Sequence, residues 1–383
     1  MPRPHATLPT RLPTLPLLAA AVLLLGACAG GGGGSPETAP TPAPSSTGAP
    51  GAAQPAAVWP TRTLEHVDLW LHGFALLVDD TAQVPLFRRG YRAEMQRVRG
   101  AANVTTQLDA ERDRLRQRLA GNNRLALGAQ FVALSFASWD DLKRAAGAFI
   151  QAGGDPQRAG DQRTAQAIAF LAGSFQTAAE REWLRLFVNA LDDESTRFFH
   201  QWWLTAQRDR SPALAAADSV WQRVARPALP RFLTNTQQRD GQLLLSVVLG
   251  GEGRTVNSGT RGGNIVTVGL TARPADAAEA SYAAAHELAG AVAGTAVADN
   301  VTPTQQREGT ADRLVSSAQV RGGLLLLQRL APTLAAGYAR FYLREAGRAA
   351  DGDPVAALTA AFPLPQPIID ALNRQLDVTL GGI

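Results

Sequence analysis

The chain has one cysteine, Cys28, and one lysine, Lys143, among its 383 residues. A single cysteine excludes a disulfide within the chain, so packing has to stabilise the fold. The cationic residues are otherwise arginines, and they are scattered among Asp and Glu, which argues against a nucleic-acid surface. The sequence also lacks a Gly-x-Ser-x-Gly motif, an Asp-rich calcium loop and a dinucleotide-binding fingerprint. We therefore expect no serine hydrolase and no bound nucleotide cofactor.

The first 27 residues have the layout of an export signal. Arg3 and Arg11 give the segment a positive start without an acidic residue, and an apolar run follows from Leu12 to Leu25. This run is shorter than the roughly 20 apolar residues that a membrane-spanning helix needs. A basic start followed by a short apolar run is typical of a signal peptide.

The apolar run ends at Leu25-Gly26-Ala27-Cys28, which resembles the lipobox of bacterial lipoproteins. The resemblance implies removal of residues 1–27, a lipid on the sulfur of Cys28 and an acylated new amino terminus, with palmitate as an expected acyl group. Two or more acyl chains bind a membrane firmly, whereas one binds marginally. Because no aspartate follows Cys28, the resemblance further favours the outer membrane. An ordinary secretory signal with an unmodified cysteine is the alternative.

Residues 28–57 consist almost entirely of Gly, Pro, Ala, Ser and Thr. Such a segment has too little apolar surface to offset the entropy lost on ordering. We expect a disordered tether that spaces a folded domain from the membrane. Residues 58–383 should then form a single globular domain, because no further linker-like stretch interrupts them.

Helical periodicity dominates this domain. Apolar spacing predicts a helix from His66 to Val78, and the composition predicts three further helices. Those three are Val84 to Arg99, Thr105 to Leu119, and Thr304 to Leu330. Helix starts are expected at Ser138, at Thr177 and at Ser211-Pro212, each from capping residues. The fold class is therefore mainly α.

Two β-rich runs, residues 242–249 and 264–270, flank a glycine-rich loop. They predict a β-hairpin with a long connection. The loop does not end in Gly-Lys-Ser/Thr and no helix follows it directly, so it does not match a phosphate-binding P-loop. We expect a small sheet beside the helices, which makes the fold α+β.

The segment from Pro274 to Asn300 is nearly all Ala and Gly, which predicts a tightly packed, buried helix near 274–299. It contains His286-Glu287. A hairpin followed by a helix with His-Glu is similar to the core of zincin metallopeptidases, whose motif is His-Glu-x-x-His. In that family both histidines bind Zn²⁺ and the Glu activates a bound water. The resemblance implies a zinc ligand at His286 and a general base at Glu287.

The position four residues after His286 is Gly290, so the second histidine of the motif is missing. Zn²⁺ binds weakly without further ligands. Residues elsewhere would have to complete the site, and the sequence offers five without motif spacing: Asp299, Glu308, Asp312, His72 and His200. The ordinary interpretation of His286-Glu287 is a satisfied structural pair, with Glu287 hydrogen-bonded because a bare buried charge is costly.

Two other features have a structural and a functional interpretation. His72 lies on an apolar helix, where a core histidine with a backbone partner is the ordinary expectation and a metal ligand the alternative. Aromatic residues surround His200, and they are expected to pack in the core, with a peptide- or glycan-binding cleft as the alternative. The four aromatic residues are Phe198, Phe199, Trp202 and Trp203.

The sequence therefore supports two functions for an exported, lipid-anchored envelope protein. One is a metallopeptidase-like domain, with Zn²⁺ at His286 and Glu287 as base, that either acts on peptides or has lost its activity. The other is a non-catalytic helical domain that binds or scaffolds a peptide or an envelope protein partner.

Overall fold

The computed structural model describes residues 59–79, 82–257 and 263–381. The predicted signal peptide, Cys28 and the tether lie outside these residues. The described chain is mainly helical with one small mixed sheet, which confirms the α class with a β component. The helices of the first half are α1 Glu65–Leu77, α2 Tyr91–Ala101, α3 Gln107–Ala110, α4 Arg112–Ala120, α5 Asn123–Ala129, α6 Trp139–Gln151, α7 Gln162–Ser174, α8 Ala178–Glu194, α9 His200–Val220, α10 Arg226–Ala228 and α11 Pro230–Asn235.

One strand lies at the start of the described chain, and the second half adds three strands and six helices. The strands are β1 Thr61–Arg62, β2 Gly241–Ser246, β3 Arg254–Val256 and β4 Asn264–Gly269, and the helices are α12 Ala278–Ala298, α13 Pro303–Arg307, α14 Thr310–Leu330, α15 Pro332–Glu345, α16 Pro354–Ala361 and α17 Gln366–Thr379. Buried apolar side chains from Trp59 to Leu376 belong to one contiguous core. Helix α12 contacts α14, α15, α17 and strand β4, and so lies at the centre of this half.

Glycine on α14 allows this close packing. A Cβ on Gly322 would lie 3.4 Å from the Cβ of Ala289 on α12. A Cβ on Gly323 would overlap the hydroxyl group of Tyr338 on α15, and that hydroxyl donates to the carbonyl of Val320 at 2.8 Å. Because the residues that α12 and α14 place between them are small, the two helices pack closely without leaving a void. The prediction of a buried helix near 274–299 is confirmed, since α12 is buried over most of its length.

The predicted β-hairpin is wrong. Strands β2 and β4 pair in parallel, with Leu243 opposite Val266, whereas a hairpin needs antiparallel neighbours. The glycine-rich loop between them contains β3, which pairs antiparallel to β4. The chain runs in one direction along β2 and in the opposite direction along β3. It then reverses again, so β4 runs in the same direction as β2. The sheet order is β1-β2-β4-β3, which leaves β3 at one edge among the described strands.

Three predicted helices differ in their bounds. The segment expected from Val84 becomes helical only at Tyr91, after Gly90 in a left-handed conformation (φ 76°). The segment expected from Thr105 to Leu119 is divided at Glu111 into α3 and α4. The run before Leu330 is likewise divided into α13 and α14, at Gly309 with φ 68°. In each case a local turn interrupts an otherwise helical pattern.

Capping predictions gave mixed results. Ser138 accepts a hydrogen bond from the backbone N–H of Asp141 and begins α6, and Thr177 begins α8 through a full capping box with Glu180. Ser211-Pro212 does not begin a helix, because both residues lie inside α9. The π-helical segment Ser195–Phe199 connects α8 to α9 without a break, so no capping position exists there.

Candidate functional site

His286 and Glu287 lie in the middle of α12, and both are buried, at 1% and 8% exposure. The Nδ1 atom of His286 lies 3.0 Å from Oε1 of Glu287 and 3.3 Å from Nε2 of Gln319 on α14. Since a carboxylate only accepts hydrogen bonds, Nδ1 carries a hydrogen and donates it to Glu287. The imidazole stacks on the ring of Tyr342, with centroids 5.0 Å apart. Its Nε2 is buried and has no hydrogen-bond partner within the described residues.

Glu287 also connects α12 to the sheet. Its Oε1 accepts a hydrogen bond of 2.9 Å from the backbone N–H of Gly253, which immediately precedes β3. Only glycine fits at this position, because a Cβ would lie 2.0 Å from the carbonyl oxygen of Thr267. The buried carboxylate is therefore hydrogen-bonded, as the sequence predicted, and it holds the edge strand against α12.

The donors around His286 do not fit the zinc site that the resemblance implies. Structural and catalytic zinc sites use three or four N, O or S ligands from the protein. Within the described ranges, no group of three or more His, Cys, Asp or Glu side chains could hold a metal. Gly290 supplies no ligand, and a Cβ there would lie 3.2 Å from Nε2 of Gln319. No catalytic step through a metal is derived from this site.

The other residues considered as ligands are dispersed. Asp299 is the exposed C-cap of α12, and Glu308 is exposed at the end of α13. His200 is half exposed and its Nδ1 lies 2.8 Å from Glu65. His72 belongs to a buried cluster described below. Only Asp312 shares a cavity with Glu287.

That cavity is a groove of about 720 Å³ between α12, the first half of α14 and strand β3. Its α12 wall consists mainly of small residues, because Gly290, Ala291 and Gly294 line it. A Cβ on Gly294 would meet no atom within 4 Å, so bare backbone borders open space there. Apolar side chains complete the walls: Leu288, Val297, Val301 and Val315. We refer to this cavity as the α12–α14 groove.

Polar atoms without partners border the same groove. Oε1 of Gln238 and Oγ1 of Thr255 are buried and form no hydrogen bond within the described residues. The guanidinium of Arg254 lies 4.9 Å above the ring of Phe131, and no ion pair of Arg254 is present among the residues described. Buried polar atoms are normally satisfied by protein or by water. Gln238 and Thr255 therefore belong to the wall of the groove, with these two oxygens enclosed by protein atoms.

A second polar cluster lies in the first half of the chain, around His72. The ring nitrogens of this fully buried histidine lie 2.9 Å from the hydroxyl of Tyr91 and 3.1 Å from Glu194. Glu194 also accepts a hydrogen bond of 3.1 Å from Arg99. Burial raises the pKa of Glu194, but His72, Thr106 and Arg99 outweigh it, so the net pKa lies below the ordinary range. The expected backbone partner of His72 is thus wrong, since both partners are side chains.

Asp68, one turn before His72 on α1, is another buried carboxylate that the sequence analysis missed. It accepts hydrogen bonds of 2.5 Å from the hydroxyl of Ser246 and 2.8 Å from Nε1 of Trp203. Burial raises the pKa of Asp68 to about 6, against the lowering effect of those bonds. The spacing of Asp68 and His72, four residues apart on an apolar helix, is a sequence signal for a buried polar face.

The aromatic residues around His200 pack as the ordinary interpretation expected. Phe198 and Phe199 are buried in the core, and Trp202 stacks with Phe198 at a centroid distance of 6.4 Å. Phe199 lies against the ring of His72 at 4.8 Å. These residues enclose the His72 cluster and leave the α12–α14 groove as the better candidate for ligand binding.

Among the described residues, no helix is long and apolar enough to cross a membrane. Comparisons with protein families, with curated proteins and with solved structures found no match. The α12–α14 groove and the amino-terminal sequence are therefore the features that point to a function.

Proposed function

We propose that this chain is a lipid-anchored envelope protein that binds a peptide segment of a partner in the α12–α14 groove, without catalysis. Of the two functions predicted from the sequence, this is the binding alternative. The observation that carries it is the combination of an open, largely apolar groove with an edge strand in its wall. The lipobox resemblance at Cys28 supports the anchor.

The chemistry of the groove favours a peptide over an acyl chain. Strand β3 lies at the edge of the sheet and pairs only with β4 among the described strands. An extended peptide supplies backbone N–H and C=O groups that can pair with such an edge. An acyl chain supplies neither. Apolar walls then accept alternate side chains of the peptide.

The length of the groove sets the size of the ligand. The α12 wall runs from Glu287 to Ala298, which is about 16 Å at a rise of about 1.5 Å per residue. An extended peptide rises about 3.3 Å per residue, so about five residues match this wall. We therefore expect the binding segment to be five or six residues long.

The geometry around Glu287 favours binding over hydrolysis. Oε1 of Glu287 already accepts from Gly253 and His286, and this arrangement holds β3 in place. Gln319 occupies the side of α12 where the zinc-binding motif would carry its second histidine. We infer that these two residues stabilise the wall of the groove.

The test uses the full chain purified in detergent, with Cys28→Ser to remove the expected lipid without altering any described residue. A positional library of fluorescein-labelled hexapeptides with blocked ends is the probe, and fluorescence polarisation is the readout. We expect a subset to bind, and we expect Gly294→Leu to weaken every binder at least tenfold, because the new side chain extends into the groove. The control is Gly147→Leu, at an open, exposed helical glycine on α6.

If no hexapeptide binds, or if Gly294→Leu and Gly147→Leu leave binding equal, the proposed function is wrong. Thermal unfolding of both variants separates blocked binding from misfolding. Both replace glycine inside a helix, so neither should lower the stability of its helix.

A further inference from the structure

Asp312 is a half-buried carboxylate at the first turn of α14, and it lines the α12–α14 groove. No ion pair or hydrogen bond of its side chain is found within the described ranges. The nearest cation in sequence, Arg313, is exposed and donates instead to the hydroxyl of Thr310 at 3.1 Å. Burial raises the pKa of Asp312 above its ordinary value, with a smaller opposing effect from Arg313.

Several other arginines already form ion pairs with carboxylates elsewhere in the described chain. Arg329 forms an ion pair with Asp377, and Arg344 with Glu279. Twelve Asp or Glu side chains of the described first half likewise take part in ion pairs with Arg or Lys: Asp79, Glu94, Asp109, Glu111, Asp140, Asp141, Asp155, Glu180, Glu182, Asp192, Asp193 and Glu194. Asp312 differs from these carboxylates, because it lines a groove and forms no ion pair with a cation among the described residues.

The charged side chains of the groove are divided between its two ends. Gly253 donates to Glu287, so Arg254 lies beside Glu287 at one end. Gln319, two turns after Asp312 on α14, lies against His286 and Gly290, so Asp312 lies towards the opposite end of the groove. Cationic groups lining the groove are therefore confined to Arg254 among the described residues, and the end at Asp312 presents a carboxylate over apolar walls. A carboxylate in such partly desolvated surroundings is stabilised by a cation, and more strongly than one in bulk water.

We propose that the α12–α14 groove selects peptides with a lysine or arginine side chain at the position that reaches Asp312. The inference rests on the proposed peptide-binding function and adds a charge requirement to it. The observation that carries it is the carboxylate of Asp312, which lines an apolar groove and has no ion pair or hydrogen bond among the described residues. A basic side chain of the peptide supplies the cation that this carboxylate lacks.

The remaining walls fit the rest of such a peptide. Val297, Val301 and Val315 flank the groove and offer apolar contact to the aliphatic stem of a lysine or arginine. The open space beside Gly294 admits a further side chain. The ligand is therefore expected to alternate apolar residues with one basic residue, rather than to be uniformly basic.

The probe is a series of blocked, fluorescein-labelled hexapeptides of alanine and valine. Each position in turn carries one lysine, one norleucine or one glutamate. Binding to the Cys28→Ser chain is measured by fluorescence polarisation. We expect one position at which lysine binds at least tenfold tighter than norleucine and glutamate binds weakest.

Three variants test the assignment. Asp312→Asn should remove the preference for lysine, and Asp312→Lys should favour the glutamate peptide at the same position. Asp351→Asn is the matched control, because it changes the net charge equally at an exposed site outside the groove. It should leave the lysine preference unchanged.

The outcomes separate this inference from the proposed function. If peptides bind and Gly294→Leu blocks them, but lysine is not preferred or Asp312→Asn leaves the preference intact, the charge requirement is wrong and the groove remains a binding site. If none of the series or of the wider library binds, both are wrong.

Discussion

The side-chain amide of Gln319 on α14 lies 3.3 Å from Nδ1 of His286 on α12, on the side of α12 where Gly290 follows four residues later. In a zinc-binding His-Glu-x-x-His helix, that side carries the second histidine. Here a neutral amide occupies the space, and Glu287 accepts the hydrogen of His286. Glu287 is thus hydrogen-bonded to both His286 and the backbone N–H of Gly253, and it joins α12 to the sheet.

Because few ligands surround His286, we expect the chain to bind little zinc. The Cys28→Ser chain, incubated with equimolar zinc and desalted, should retain much less than one zinc per chain, because two donors hold the ion weakly. His286→Ala should retain the same amount. Metal analysis of both proteins checks this, and one zinc per chain that is lost in His286→Ala would restore the metallopeptidase interpretation.

The buried carboxyl of Asp68 should make stability depend on pH. Its pKa is raised from 3.8 to about 6 in the folded chain, so the folded state binds more protons than the unfolded state between these values. The free energy of unfolding therefore falls as the pH rises through this window, by up to about 3 kcal/mol. Asp68→Asn should remove most of that fall.

Urea unfolding of both proteins at pH 4 and pH 7 measures the effect. The difference between wild type and Asp68→Asn isolates Asp68, because Glu194, whose lowered pKa makes the opposite contribution at lower pH, is present in both. Parallel pH profiles for the two proteins would contradict the prediction.

The His72 cluster should depend strongly on Glu194. Glu194→Leu leaves the buried guanidinium of Arg99 with fewer acceptors and removes the partner of His72, so we expect a loss of about 3–5 kcal/mol in the free energy of unfolding. Glu182→Gln on the same helix removes an exposed ion pair with Arg185 and should cost less than about 1 kcal/mol. Equal losses in urea unfolding would rule out a special role for the buried cluster.

The intact mass of the protein extracted from membranes tests the proposed lipid anchor. The mature chain should begin at Cys28 and carry a diacylglyceryl group and an acylated amino terminus. Several acyl chains, at about 0.8 kcal/mol per buried CH₂, hold the protein at the membrane. Cys28→Ser should be neither cleaved there nor lipidated. An unmodified Cys28 in the mature wild type would contradict the lipoprotein assignment.

Local patterns predicted the helices well and the sheet poorly. Periodicity and small residues identified α1 and the buried α12, and Thr177 marked the start of α8, because each depends on neighbours within one or two turns. Strand direction depends on a distant partner. The three residues of β3 have no pattern strong enough to indicate that they pair with β4 and make β2 and β4 parallel.

The same limit applies to the candidate site. His286-Glu287 could be found from its position in an Ala/Gly helix, and the need to satisfy Glu287 could be predicted from the cost of a buried charge. The contact of Gln319 with His286 could not be predicted, because Gln319 lies on a separate helix 33 residues later. Asp312 was considered only as a metal ligand. Its place in a groove became apparent only once α12 and α14 were packed together.

Binding of the hexapeptide library to wild type, Gly294→Leu and Gly147→Leu is the most direct test of the proposed groove. Gly294 borders open space in the groove, and Gly147 borders open solvent on α6. All three proteins should unfold at similar temperatures. A loss of at least tenfold in affinity for Gly294→Leu alone is the predicted result, and equal affinities for the three proteins, or no binding by any of them, would contradict it.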